Sequence, residues 1–528
     1  LLVACDPVAR VAAPHAGNGP APGGRLVYPL RIEPTTLNFI SGTDQFTVMV
    51  QKLVADGLVG HDHQLRPVPR LASSWEHSDD GRVLTFHLRT GVRFHDGAPF
   101  TSADVLHTYR RVVDPASRAV GRLDSFLTVE RVETPDPHTV RVVYREPYAP
   151  ALYAWEVPIV PRHLDTEPTM ADSPLNRAPV GTGPFRFVAW DAGSRIVLKA
   201  NPDYWSGRPH LDEFIFQIIP SQETALQALL AGEVDYASLT PVQWDTHVRR
   251  VEFDRRFRTV RYVPLFLYYI AWRSGGSNPF FGDPEVRRAL SLALDREEYV
   301  NSVLRGHGRA AGSPFHPAVL PPAGSPASST AHDPARAAQL LDAAGWRIDQ
   351  TTGLRSRAGI PFRFRLLIYG EGRDHVQFSQ VAQESLRRLG IEMTIQRLDW
   401  PTLWSRLKSG DFEAALSGIV FTPDPDGLYG MLHSSQIGEG QNYAGFRDAD
   451  VDAWLDEGRR TLEPGERTAI YRRIERRLAE REPYSFLFYP TVQAALPRRI
   501  GGATACPLGI LNQFPGAAGL FVGEASDR

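Results

Sequence analysis

The sequence predicts an α/β protein with more than one domain, and three observations carry that reading. Leu84, Phe86 and Leu88 alternate with Thr85, His87 and Arg89, the period of a strand with one buried and one wet face. Phe362, Phe364, Leu366 and Ile368 alternate in the same way, a helical stretch over 381–389 stops at Gly390, and Ile391, Met393 and Ile395 alternate again. That is a strand, helix, strand unit of the kind α/β sheets are built from. Finally, the chain has 528 residues, whereas single cores stop growing near ~250–300 residues.

The elements follow in order. Leu26-Val27-Tyr28 reads as a first strand, and residues 46–59 as a helix ending near Gly57 or Gly60. Residues 61–177 form a long excursion of short strands with one clear helix, Ser102–Val113. Asp96-Gly97 turns the chain before it, Thr101 and Asp104 form a capping box, and Phe100 and Val105 are placed as a hydrophobic staple. Residues 186–200 give paired strands around Asp191-Ala192-Gly193. Ser221 caps a helix over 223–231, with Gly232 suited to the residue just past its end. Asp283 is an N-cap, Pro284 fits the first helical position, and Val286, Leu290, Ala293, Leu294 and Leu304 fall on one helical face before Gly306. Residues 400–409 make another helix ended by Gly410; Ile470, Ile474 and Leu478 mark one over 466–479; Phe486-Leu487-Phe488-Tyr489 is the last strand. Trp75, Trp190, Trp205 and Trp346 are assigned to cores.

Composition excludes several functions. Charged residues make up 22% and the formal net charge is -2, which does not suit a nucleic-acid surface or an electrostatic membrane coat. No stretch approaches the ~20 apolar residues of a membrane-spanning helix. Catalytic wording is missing too: there is no Gly-x-Ser-x-Gly, His-Glu-x-x-His or phosphate loop. Gly306-His307-Gly308 reads as a helix exit, and His61 with His63 as a solvated turn and not a metal site. Cys5 follows Leu2-Val3-Ala4, which resembles the end of a lipoprotein signal, so Cys5 is expected to carry lipid and residues 6–24 to form a flexible tether. Asp6 resembles an inner-membrane retention signal, and Cys506 is then a buried, unpaired thiol.

Five stretches carry a more specific resemblance. They are the run from Trp75 through Asp96-Gly97-Ala98-Pro99-Phe100-Thr101 to Val105, Pro179-Val180-Gly181-Thr182-Gly183-Pro184-Phe185 with Asn201-Pro202-Asp203-Tyr204-Trp205, the block from Asp283-Pro284-Glu285 to Asp295-Arg296, and Asp333-Pro334 through Gly345-Trp346. In this order, they resemble the family 5 extracellular solute-binding proteins, the peptide and nickel receptors of ABC importers. The resemblance implies a two-lobed, periplasmic-binding-protein-like α/β fold with an extra subdomain. Lobe I would be 25–60, 178–270 and 487–528, the inserted subdomain 61–177 and lobe II 271–486, with two hinge crossings near 268–273 and 481–490.

It also implies a ligand cleft between the lobes and no cofactor. Glu33, Pro34 and Thr35 would line its floor, Tyr268, Tyr269 and Trp272 would sit at the crossing, and His375 and Trp400 match positions that contact ligand in peptide-binding members. One departure matters. Those members place an aspartate four residues before the Pro of the loop written here Phe421-Thr422-Pro423-Asp424-Pro425-Asp426, and its carboxylate pairs with the peptide ammonium. Here that position is Phe421 or Thr422; an upstream Trp is replaced by Gly418 or Ile419, and an Arg by Leu416. Asp424 and Asp426 are the carboxylates left to take the role. The expectation is a monomeric receptor for a small or peptide-like solute that delivers to ABC permease subunits, binds no nucleic acid, and is held at the periplasmic or cell-envelope face only through lipid on Cys5. The alternatives are a nickel or metallophore carrier using His375 or His433, a hydrolase using Asp424 and Asp426, and a sensor on the same fold.

Overall fold

A computed structural model describes residues 21–523 apart from 118, 120–121, 168, 276–277 and 322–330. Cys5, Asp6 and nearly all of the expected tether lie outside the described residues. The fold is the two-lobed α/β fold of the resemblance.

In lobe I, Arg25–Leu30 runs parallel to Glu213–Ile218, and Arg195–Ala200 and Phe185–Asp191 follow antiparallel. Leu26, Tyr28 and Leu30 enter one apolar core and Val27 another, so this strand is covered on both faces. That suits its nearly unbroken apolar wording. The subdomain adds a four-stranded antiparallel sheet, in the order Ala72–His77, Val83–Leu88, Thr139–Tyr144, Val129–Asp136. Leu84, Phe86 and Leu88 are buried as their alternation requires, and they share one core with the lobe I sheet. The helix Ser102–Val113 starts at Thr101, whose N–H donates to Asp104 Oδ2 at 2.9 Å.

The first helix is Gln45–Val54, shorter than expected. The chain leaves it at Ala55 in extended conformation, because residues 54 and 55 pack against Gly181 and Gly183; the Gly183 N–H donates to the Val54 carbonyl at 2.8 Å. The short strand Val59–His61 then replaces the anticipated final turn.

Lobe II is built on one six-stranded sheet, in the order Gly308–Ala310, Tyr484–Pro490, Phe266–Trp272, Ala414–Val420, Arg363–Tyr369, Glu392–Leu398. Its two faces feed separate cores: Ile270 and Trp272 point into one, Leu267, Tyr269 and Ala271 into the other. The helices Pro284–Ala293, Pro334–Ala343 and Arg373–Arg388 cover the first face, and Ala449–Arg460 and Pro464–Arg481 the second. Two helices differ from the sequence reading. Pro284–Ala293 stops at Leu294 and Asp295 caps a new start, so Leu304 is not on its face. The buried Arg296 fixes that break by donating to the carbonyls of Ser291, Leu294 and Phe486. Arg373–Arg388 begins well before 381, since its polar first turns carry no apolar period.

The lobes are joined by a two-stranded ribbon. In lobe I, Phe257–Tyr262 pairs antiparallel with Val492–Pro497; in lobe II, Phe266–Trp272 pairs antiparallel with Tyr484–Pro490. The chain therefore changes lobe at 263–265 and at Thr491. The crossing expected at 268–273 lies upstream of that range, because 268–272 is paired inside the lobe II sheet. Away from the ribbon, the subdomain also meets lobe II: the Ala149 N–H donates to the Arg459 carbonyl at 2.7 Å, and Arg460 pairs with Glu146 at 3.4 Å.

The glycine packing gives a direct test. A Cβ at position 183 would lie 2.4 Å from the Val54 carbonyl carbon, with only backbone to yield. We predict that Gly183→Ala lowers unfolding free energy by at least the ~1–3 kcal/mol typical of overpacking. Gly430→Ala, where a Cβ meets nothing within 4 Å, is the control and stays near wild type in denaturant titration.

Candidate functional site

Between the lobes lies a cavity of about 300 Å³. Lobe I supplies Gln51 and Lys52 from the first helix, Arg122 and Phe126 from the subdomain, and Tyr153 and Glu156 from the segment that follows the subdomain sheet. Lobe II supplies Val420, Phe421 and Pro423, where the strand Ala414–Val420 runs into its loop. Val420 is 68% exposed although apolar, and Phe421 is buried with its N–H bound to the Leu265 carbonyl at 2.8 Å.

The charges of the cavity are set by Glu156. Burial would push its carboxyl up, but Lys52 at 3.4 Å and His61 beside it outweigh that and hold it down at about 2. Glu156 is therefore an ionised carboxylate paired with both Lys52 and His61. This also corrects the reading of His61: it is buried, in the strand Val59–His61 and paired with Glu156, while His63 is exposed.

The loop acids are equally committed. Asp424 receives two hydrogen bonds from Arg467, both 2.7 Å, and accepts from the Asp426 N–H at 2.8 Å. Asp426 is buried and receives Arg459 in bidentate fashion at 2.9 and 3.0 Å; burial lifts its carboxyl to about 6 against that guanidinium. Thr422 turns its hydroxyl onto the Asp424 carbonyl at 2.8 Å. Asp424 and Asp426, the carboxylates expected to replace the missing amine anchor, are thus each paired with an arginine of lobe II.

The remaining residues divide into two groups. Tyr268, His375 and Trp400 come together on lobe II. Tyr268 stacks on Phe488 with ring centroids 4.7 Å apart and donates to Asp374 Oδ2 at 3.3 Å. His375 packs edge-on to Tyr268 and Tyr369, neither ring nitrogen has a hydrogen-bond partner, and burial pushes it down to about 4, so it is neutral. Trp400, 44% exposed, meets Tyr369 edge-on at 5.8 Å. Arg31, just past the first strand of lobe I, acts electrostatically on Tyr268, Tyr369 and Asp374, so the two lobes face one another here.

The second group is structural. Trp272 is fully buried and donates to Ser485 Oγ at 2.9 Å, and Tyr269 packs against Tyr484 in the other core; both belong to the interior of lobe II and not to the cleft. Glu33 accepts from Trp190 Nε1 at 2.8 Å and from the Gly193 N–H, tying the loop to a lobe I hairpin; Pro34 is buried and Thr35 exposed. At Gly418 a Cβ would come within 2.2 Å of the Phe266 ring, so the ring fills the space a larger residue would take. Cys506 is a buried free thiol. Among the described residues no group of three or more His, Cys, Asp or Glu is placed to hold a metal ion, and His375 and His433 join none.

Sequence reasoning missed Lys52, Arg122 and Glu156. The one available signal was Glu156 itself, a lone carboxylate inside the apolar run from Ala149 to Val160.

Comparisons agree with this architecture. The chain matches the family described as bacterial extracellular solute-binding proteins, family 5, over residues 66–439. It is 30% identical to the oligopeptide-binding protein AppA of Bacillus subtilis over 502 residues, which covers 93% of this chain and 91% of that protein. Di/tripeptide-binding protein 2 of Pseudomonas aeruginosa is 28% identical over 471 residues, covering 84% of each chain. The solved structure of Bacillus subtilis AppA in complex with a nonapeptide superposes with a TM-score of 0.83 at 28% identity, over 96% of this chain and all of that one. Fold, block order and relatives agree: the chain belongs to the family 5 bacterial extracellular solute-binding proteins.

Proposed function

We propose that the protein is the solute receptor of an ABC importer, capturing a small, peptide-like ligand between its lobes without relying on a free N-terminal ammonium. The observation that carries the second half is the commitment of the acids: Asp424, Asp426 and Glu156 are each held by a cation of the protein itself. A ligand ammonium buried without a carboxylate would cost several kcal/mol. The peptide reading is supported by relatives named for oligopeptides and di- or tripeptides, and a cavity of about 300 Å³ stands at the small end of the ~300–1,000 Å³ typical of ligand sites. The receptor acts as a monomer, hands its ligand to membrane permease subunits, and sits in the periplasm or cell envelope, tethered by lipid on Cys5.

Three experiments test this reading. Calorimetric titration of trialanine and N-acetyl-trialanine is expected to show the blocked peptide binding at least as well as the free one. A charge-assisted hydrogen bond contributes ~1.5–3 kcal/mol, so a working amine anchor would instead cost the acetylated peptide at least about tenfold in affinity. Trp400→Ala is expected to weaken peptide binding severalfold while leaving the thermal midpoint near wild type, since the residue lies outside the core and is 44% exposed; a loss of the ~3–5 kcal/mol typical of a truncated core aromatic would show a packing role instead. For anchoring, protein expressed with a complete signal is expected in the membrane fraction and Cys5→Ala in the soluble one, because acyl chains contribute about 0.8 kcal/mol per buried CH₂. Equal partitioning would contradict lipidation.

A further inference from the structure

The subdomain touches lobe II at the end of the helix Ala449–Arg460, and three kinds of contact meet there. The Ala149 N–H donates to the Arg459 carbonyl at 2.7 Å, one of the last carbonyls of that helix and so without a partner inside it. Half-exposed Glu146 and Arg460 pair at 3.4 Å. A Cβ at Gly81 would lie 2.5 Å from Leu462 Cδ1 and 3.3 Å from Pro147 Cβ, so Leu462 of lobe II fills the space over this subdomain glycine, next to Pro147.

Arg459 joins this contact to the cavity. While its carbonyl holds the subdomain, its guanidinium grips Asp426 at 2.9 and 3.0 Å and lies over the Tyr429 ring, 3.2 Å from the centroid. Buried Tyr148 of the subdomain stands close enough to feel both Asp426 and Arg459. Asp426 ends the loop whose Phe421 and Pro423 line the cavity, and the other end of that loop is tied to the ribbon, where the Phe421 N–H donates to the Leu265 carbonyl at 2.8 Å. The loop is thus fastened at the hinge by Phe421 and at the subdomain contact through Arg459. Each contact with the subdomain is small, and opening would return the Ala149 N–H, the Arg459 carbonyl and the half-exposed ion pair to water, where such groups lose little.

We propose that the subdomain is a reversible latch: Gly81 and residues 146–149 clip onto the end of Ala449–Arg460 and hold the lobes together, and Arg459 couples that clip to the cavity loop, so that the latch sets how long a solute is retained. Retention rests on the receptor reading; the latch itself does not.

Hydrogen exchange on the protein without added ligand tests the latch, and the dissociation rate of N-acetyl-trialanine tests the coupling. In wild type the Ala149 amide is expected to be protected. Leu462→Asp, which sets a carboxylate over Gly81 beside Pro147, is expected to speed its exchange by about tenfold or more while the strands Val83–Leu88 and Phe266–Trp272 keep their protection. The same variant releases the peptide severalfold faster, as does Glu146→Arg, and the exchanged pair Glu146→Arg with Arg460→Glu recovers slow release. An Ala149 amide that is unprotected in wild type, or unchanged in Leu462→Asp, overturns the latch. Faster exchange throughout both lobes shows Leu462 to be ordinary packing and also overturns it. Faster exchange confined to 146–149 with an unchanged release rate overturns the coupling through Arg459. Failure of wild type to bind N-acetyl-trialanine counts against the peptide reading alone, since exchange at Ala149 still decides the latch.

Discussion

Everything in this molecule depends on one antiparallel ribbon shared by two sheets. The strands Phe257–Tyr262 and Val492–Pro497 are paired within lobe I, and their continuations Phe266–Trp272 and Tyr484–Pro490 are paired within lobe II. Each half is locked by ladder hydrogen bonds, whereas residues 263–265 and Thr491 lie outside both strand pairings. A rotation between the lobes would turn on the few backbone torsions of these two adjacent segments, the geometry of ordinary hinge closure. Both strands are central in lobe II, flanked by Gly308–Ala310 and Ala414–Val420, so motion at the hinge is transmitted to a rigid sheet instead of a loop.

The walls that such a motion would bring together are chemically unequal. The lobe I wall carries Lys52, Arg122 and Glu156, and the lobe II loop carries apolar Val420 and Phe421 with its aspartates turned away onto Arg459 and Arg467. Those pairs hold the loop acids in place, because removing one partner would leave a buried charge uncompensated at a typical cost of ~3–5 kcal/mol.

Local signals were legible in the sequence wherever they were strong. The capping box at Thr101 and Asp104 gave the helix Ser102–Val113, and Gly410 ended Trp400–Ser409 at its left-handed φ of 71°. Alternation at Leu84, Phe86 and Leu88 gave the subdomain strand. What could not be read was which residues meet across long sequence separations. The end of Gln45–Val54 is decided by Gly181 and Gly183, and the break after Ala293 by Arg296 reaching Phe486. In the site, Lys52, Arg122 and Glu156 are single polar residues in three separate segments, and no local pattern links them. Tyr269 and Trp272 show the reverse: the resemblance placed them at the crossing beside the cleft, yet a strand covered on both faces buries them.

The central claim is that a ligand held between the lobes closes them about this ribbon. Small-angle X-ray scattering on ligand-free protein and on protein saturated with N-acetyl-trialanine, with occupancy verified by calorimetry on the same sample, tests it most directly. Closure predicts a smaller radius of gyration for the occupied protein. An unchanged radius at full occupancy, with the free protein already matching the compact form, would contradict it.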